Sequence, residues 1–312
     1  MSKIKQLLKN ISPLNNRTEM PVPLYVIKVF IIFWFVKFGS ELIGEAVVIA
    51  LHFACGKNPL KGEMFSPNTI TLIMYFGYGL MVGIVLLYWK LFQKKTLEQI
   101  GFNKKVGSYL IGAIAGVVLV VVSAILVVLT GAITYKGVFN NIDYVFIILM
   151  LFAFVCQGAM EEVLCRGVVL QLLKDKASIP VAVGVSTVLF IIPHLGNMSG
   201  ASVDIIIVAI VNLILISLIF SFLTLKFKSL WAACGIHSIW NFVLCNIMGL
   251  NLSGNEAKTA AIFDMHSVGS NILNGGMYGI EASVITAVVL SVALVIGYGI
   301  ARRDNNMKEG QV

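Results

Sequence analysis

Charged side chains are scarce in this 312-residue chain: Asp, Glu, Lys and Arg make up 12% of it, where a soluble domain carries about 25%. What stands in their place is apolar, 58% of all residues, with a mean hydropathy of +0.93. A water-soluble fold of this length cannot hide that much apolar surface in one core, so the composition describes an integral membrane protein. It excludes a disordered, collagen-like or disulfide-rich secreted chain. It also excludes an ordinary nucleic-acid binder, despite the net charge of +8 and the pI near 9.2. The basic excess has a membrane origin instead, because Lys and Arg collect in cytoplasmic loops.

Other absences narrow the chemistry. The five cysteines, Cys55, Cys156, Cys165, Cys234 and Cys245, are odd in number and form no CxxC pair. They read as small buried apolar residues, not as a redox motif or zinc knuckle. No GxSxG elbow, HExxH helix or internal repeat occurs, and no linker divides the chain.

What is present is a series of apolar stretches of about 20 residues, the length that crosses a bilayer as helix. Eight are found, near 24–54, 69–91, 107–131, 143–172, 179–195, 204–225, 229–249 and 280–301. The expected fold is therefore all-α, a polytopic membrane protein of about eight transmembrane helices. The first span is too long for a signal-peptide core and reads as retained. With the N-terminus cytoplasmic, 16 of the 23 Lys and Arg residues fall in inside segments, four (Lys57, Lys61, Lys136 and Lys258) outside and three within spans. That bias places both termini on the cytoplasmic side of the cell membrane. Three regions are expected: 1–142, an N-terminal three-helix membrane region; 143–250, a core carrying the chemistry; and 251–312, an outer loop, the last span and a cytoplasmic tail. The polar stretch 250–279 is expected to be a mobile outer loop.

Ionisable groups inside the hydrocarbon cost roughly 2.5–3.5 kcal/mol each on insertion scales, so each needs a reason. Span four holds Glu161, Glu162 and Arg166. Glu162 and Arg166 are four apart, share a helical face and can pair. Glu161 points about 100° away and is left without a partner in its helix; an unpaired carboxylate there suits proton transfer. Span five ends at His194, and span seven carries His237 and Asn241, again four apart on one face. At about 1.5 Å per residue, Glu161, His237 and His194 lie roughly 18, 12 and 21 Å from the cytoplasmic ends of their spans. The three can meet in one cavity between spans four, five and seven.

A carboxylate, two imidazoles and an amide around a wet cavity suit a hydrolase. Glu161 would act as general base on a water that His194 holds, with His237 and Asn241 donating to the oxyanion. The rival uses Glu161, His194 and His237 as ligands of a catalytic zinc. Neither His shows an orienting carboxylate in the sequence, so glutamate-activated water, with no cofactor required, is the preferred expectation and zinc the alternative.

The residues Glu161-Glu162-x-x-x-Arg166, Phe190-x-x-x-His194 and His237-x-x-x-Asn241 resemble the three motifs of the CPBP family, the CAAX prenyl endopeptidases and bacteriocin-processing or immunity proteases also called Abi. Arg166-Gly167, Ser229-Leu-Trp and the Gly101-Phe102 turn are similar to the family's habits. The resemblance covers about 145–250. It implies an intramembrane endopeptidase in which Glu161 and His194 are catalytic, and His237 and Asn241 stabilise the transition state. The partners it implies are a peptide or protein substrate, prenylated or not, and the lipid bilayer. Glu162 and Arg166 support the site. A silent scaffold and a proton-relay transporter are the competing classes.

The remaining features have plain readings. Lys37 and Glu41 can pair, Lys28 can reach the cytoplasmic interface, and Glu45 is left over. Asn212 suits an interhelical hydrogen bond. Trp34, Trp89 and Trp231 suit interfacial anchoring. Gly79/Gly83 and Gly112/Gly116 suit packing seams within the monomer.

Overall fold

The computed structural model describes residues 3–255 and 260–309; Lys258 and its immediate neighbours in the 250–279 stretch lie outside the described residues. The chain is an all-α bundle. A short helix α1 (Lys3–Ile11) leads to α2 (Val22–Ala54), α3 (Pro67–Leu91), α4 (Leu97–Ile100) and α5 (Ser108–Leu129). A strand β1 (Ile133–Val138) precedes α6 (Tyr144–Glu162). After it come α7 (Leu170–Lys174), α8 (Ile179–His194), α9 (Val203–Phe227), α10 (Trp231–Phe242), β2 (Phe263–Ser267) and α11 (Val284–Glu309).

Local chemistry sets the helix ends. Ser66 and Asp143 cap α3 and α6 by accepting from the backbone N–H of Thr69 and Phe146, which satisfies donors that the first turn leaves free. Thr96 and Gln99 form a capping box on α4, which stops at Gly101, φ +114°, a conformation glycine reaches without strain.

Seven described helices are long and apolar enough to cross a membrane, against eight expected from sequence. The difference is the seventh span. There α10 is only 12 residues long, and it continues as a five-residue π-helical turn, Val243–Ile247. It nevertheless joins both ends of the bundle. At one end Leu230 N–H bonds to the Gly101 carbonyl and the Trp231 indole N–H to the Asn103 carbonyl. At the other, the Asn246 carbonyl accepts from Ile262 N–H, beside the antiparallel β1–β2 pair. The alternation of the spans is therefore kept.

Glycines set the closest approach in the bundle. A Cβ added at Gly112 would stand 2.0 Å from the Ala232 carbonyl oxygen, and one at Gly235 would stand 2.2 Å from that of Tyr109. Only hydrogen fits there, so α5 and α10 pack backbone to backbone. Gly116 continues this seam, and Gly79 faces Cys156 on α6. A Cβ at Gly83 would meet nothing within 4 Å among the described residues, so no seam is seen there.

Some expectations change, while the Lys37–Glu41 pair and the Asn212 hydrogen bonds are as expected. In the described part of the 250–279 loop, buried Asn274 donates to the carbonyls of Ala132, Val268 and Gly269, which fastens the loop to the ends of β1 and β2. Trp89 is fully buried and donates to the Thr96 carbonyl, so it is a core residue and not an interfacial anchor. Cys55 is exposed, unlike Cys165 and Cys234. Lys28 is tied to Asn15 and the Arg17 carbonyl near the N-terminal end of α2. Lys37 pairs with Glu41, and Glu45 is exposed. Asn212 bridges from α9 to the carbonyls of Glu281 and Ser283.

Candidate functional site

The fourth span does not remain α-helical. Immediately after Glu161 and Glu162, Val163–Val169 takes π geometry, with Leu170 N–H bonded to the Cys165 carbonyl. Such wider turns leave carbonyls to be satisfied by side chains and often adjoin functional sites. Here Ser186 Oγ donates to the Cys165 carbonyl and Gln171 to that of Arg166. The second π turn, Val243–Ile247, directly follows His237 and Asn241. Gly158 brings the two motif-bearing helices together, since a Cβ there would lie 2.9 Å from Ser238 N.

Glu161, His194 and His237 converge. The Nε2 atoms of both imidazoles lie 3.8 Å from Glu161 Oε2. Each ring is held by its other nitrogen. His194 Nδ1 is 2.8 Å from the Phe190 carbonyl, an acceptor only, so Nδ1 donates there and Nε2 is turned to Glu161. His237 Nδ1 is 3.0 Å from Glu162 Oε1. Both histidines thus have the orienting partners that their sequence neighbourhood did not reveal, one of them a carboxylate.

One further sequence reading is corrected. Glu161 does have a partner in its own helix, because the Gln157 amide donates to Oε1. Asn241 donates to Gln157 Oε1 at 2.8 Å, making the order Asn241–Gln157–Glu161. Gln157, four residues before Glu161, was legible by spacing and overlooked.

Beneath the imidazoles lies the expected Glu162–Arg166 pair, 3.1 Å apart with both side chains 0% exposed. Arg166 Nη2 also reaches Ser217 Oγ (2.6 Å) and the Ser217 carbonyl (3.2 Å), and its guanidinium lies over the rings of Phe190 and Phe220. Phe220 in turn stacks on His237 at 5.2 Å. Glu162 is therefore shared between a guanidinium and an imidazole. That arrangement holds the ring's direction and compensates a buried charge.

Above the site is a cavity of about 190 Å³, walled by α3, α6, α8, α9, α10 and α11, more elements than the three expected. A second cavity of about 180 Å³ lies towards Lys37 and Glu41 on α2. Both reach Tyr78, Glu161, His194 and Asn197. One carboxylate lining the first cavity had no sequence signal. Glu281, between β2 and α11, accepts from the Trp240 indole N–H and from the backbone N–H and hydroxyl of Ser253.

No curated protein and no solved structure matches this chain. Residues 143–243 match the family model described as type II CAAX prenyl endopeptidase Rce1-like. This stretch, about a third of the chain, contains Glu161, Glu162, Arg166, His194, His237 and Asn241. That family points to a CAAX-type protease, and over this stretch the chain is similar to it.

Proposed function

We propose that this protein is an intramembrane endopeptidase of the cell membrane that hydrolyses a peptide bond of a membrane-associated or prenylated substrate, with Glu161 activating the attacking water. The observation that carries the reading is the aim of two imidazole Nε2 atoms at one carboxylate oxygen, 3.8 Å from each. Two hydrogen bonds of about 2.8 Å can meet on a single water oxygen across such a gap.

In this reading Glu161 Oε2 takes a proton from the water that His194 Nε2 holds, and the hydroxide oxygen attacks the scissile carbonyl carbon. The carbonyl oxygen gains the negative charge. His237, protonated on both nitrogens and held through Nδ1 by Glu162, donates from Nε2 to that oxygen, and the Asn241 amide supplies a second donor. Collapse of the tetrahedral species breaks the C–N bond, and Glu161 returns its proton to the leaving amine. Gln157 keeps Glu161 and Asn241 in register. Removing the general base is expected to cost about 10²–10⁴-fold in rate.

Zinc is the second reading, favoured by the orienting partner on each imidazole. Two ligands on tetrahedral zinc, at bonds of about 2.0–2.1 Å, stand roughly 3.3 Å apart. The 3.8 Å separations are wider, and among the described residues no group of three or more His, Cys, Asp or Glu lies at metal-holding spacing. No step is routed through a metal.

The orientation follows the Lys and Arg bias, with both termini cytoplasmic. The test is a quantitative survey of peptide termini in membranes carrying wild type or Glu161→Gln at matched protein levels. Termini that disappear in the variant support the reading and name the substrate; identical profiles at matched levels would overturn it.

A further inference from the structure

We infer that the cavity is served from the extracytoplasmic end of the bundle, so that its substrate is a peptide segment presented there, beside the outer leaflet, and not a protein tail held in the cytosol. The inference rests on the protease reading of Glu161 and on the orientation given by the Lys and Arg bias.

The first ground is where the cavity leads. From Glu161 it runs to Asn197, Ser253, Asn255 and Glu281, all in connections at the β1–β2 end of the bundle. Asn197 and Asn255 are exposed and form the rim. Asn197 is also reached by the second cavity, so both hollows beside Glu161 come to the same edge. The connections of this end hold four of the 20 Lys and Arg residues found outside the spans. By that bias it is the extracytoplasmic end.

The second ground is what closes the other end. Below His237 come buried Phe220 and the Glu162–Arg166 pair. Ile100 and Leu230 follow, both fully buried, with Leu230 against Gly101 and both side chains against Gly167. A polar substrate segment coming from the cytoplasm would have to break a buried ion pair and then this apolar packing. From the opposite end it meets polar, exposed side chains.

The experiment labels intact cells with a bulky, membrane-impermeant polyethylene glycol maleimide. Wild-type Cys55, exposed at the end of α2, reports the orientation and is then removed as Cys55→Ser. In that chain Asn197→Cys is expected to react in intact cells, and Lys174→Cys only after permeabilisation. Labelled from outside, the Asn197→Cys chain should lose its Glu161-dependent termini at least tenfold relative to the same cells unlabelled. Asn255→Cys, on the facing rim, repeats the test should the first chain fail to accumulate. Reaction at the rim only after permeabilisation would overturn the inference, as would undiminished cutting by a fully labelled chain. If no termini depend on Glu161 even without label, it is the protease reading that fails; the labelling pattern still decides which way the mouth faces.

Discussion

Glu162→Gln separates the fold from the chemistry. In the wild type the Glu162 carboxylate meets Arg166 Nη1 at 3.1 Å and His237 Nδ1 at 3.0 Å, with no solvent exposure. The amide is nearly the same size but carries no charge, so the buried guanidinium loses its counter-charge. Breaking one side of a buried pair costs about 3–5 kcal/mol. Arg166 keeps two contacts to Ser217 and two aromatic faces, which places the expected loss at the lower end, about 3 kcal/mol. At about 1.4 kcal/mol per factor of ten, that is roughly a hundredfold in the folded-to-unfolded ratio. Denaturant unfolding in matched micelles, followed by tryptophan fluorescence, measures it. The double variant Glu162→Leu with Arg166→Leu removes both charges and should recover more than half of the loss. It should not recover cutting, because His237 Nδ1 still lacks its acceptor. A Glu162→Gln chain as stable as wild type, within about 0.5 kcal/mol, would refute the reasoning.

Other outcomes follow from the same geometry. Gln157→Leu should accumulate normally yet lose about tenfold or more of the Glu161-dependent termini, read in the terminus survey, since Gln157 links Asn241 to Glu161. Gly112→Val should sharply lower the yield of folded protein in size-exclusion chromatography, because its Cβ would fall 2.0 Å from a backbone carbonyl that cannot move without α10. Gly83→Ala, with open space at the same spacing on α3, should leave yield unchanged in that assay. Chelator treatment of the membranes should leave the Glu161-dependent termini intact; loss on chelation and return with added zinc would replace water activation by the metal reading.

The sequence made legible what depends on period and on rare residues. Apolar runs gave the helices, and helical spacing gave the Glu162–Arg166 and Lys37–Glu41 pairs, as observed. The convergence of Glu161, His194 and His237 was legible because ionisable groups are so few in the spans. What was not legible depends on neighbours distant in sequence. Glu162 belongs equally to His237, 75 residues away, and Arg166 to Ser217, 51 away. The fastening of the 250–279 loop rests on Asn274 reaching Ala132 across 142 residues. The π turns also escaped, because a run of apolar residues reads alike whether each carbonyl bonds four or five residues ahead. The short α10 looked like an ordinary span for the same reason.

The solid layer beneath the imidazoles has a consequence beyond catalysis. A membrane carries an ion gradient, and a wet hollow that ran from face to face would dissipate it. The buried Glu162–Arg166 pair, with the rings of Phe190 and Phe220 against the guanidinium, closes the packing below Glu161. An ion moving through would have to leave water and then break a compensated pair inside low-dielectric packing, and both steps are costly. A hollow that reaches partway into a bilayer need not leak.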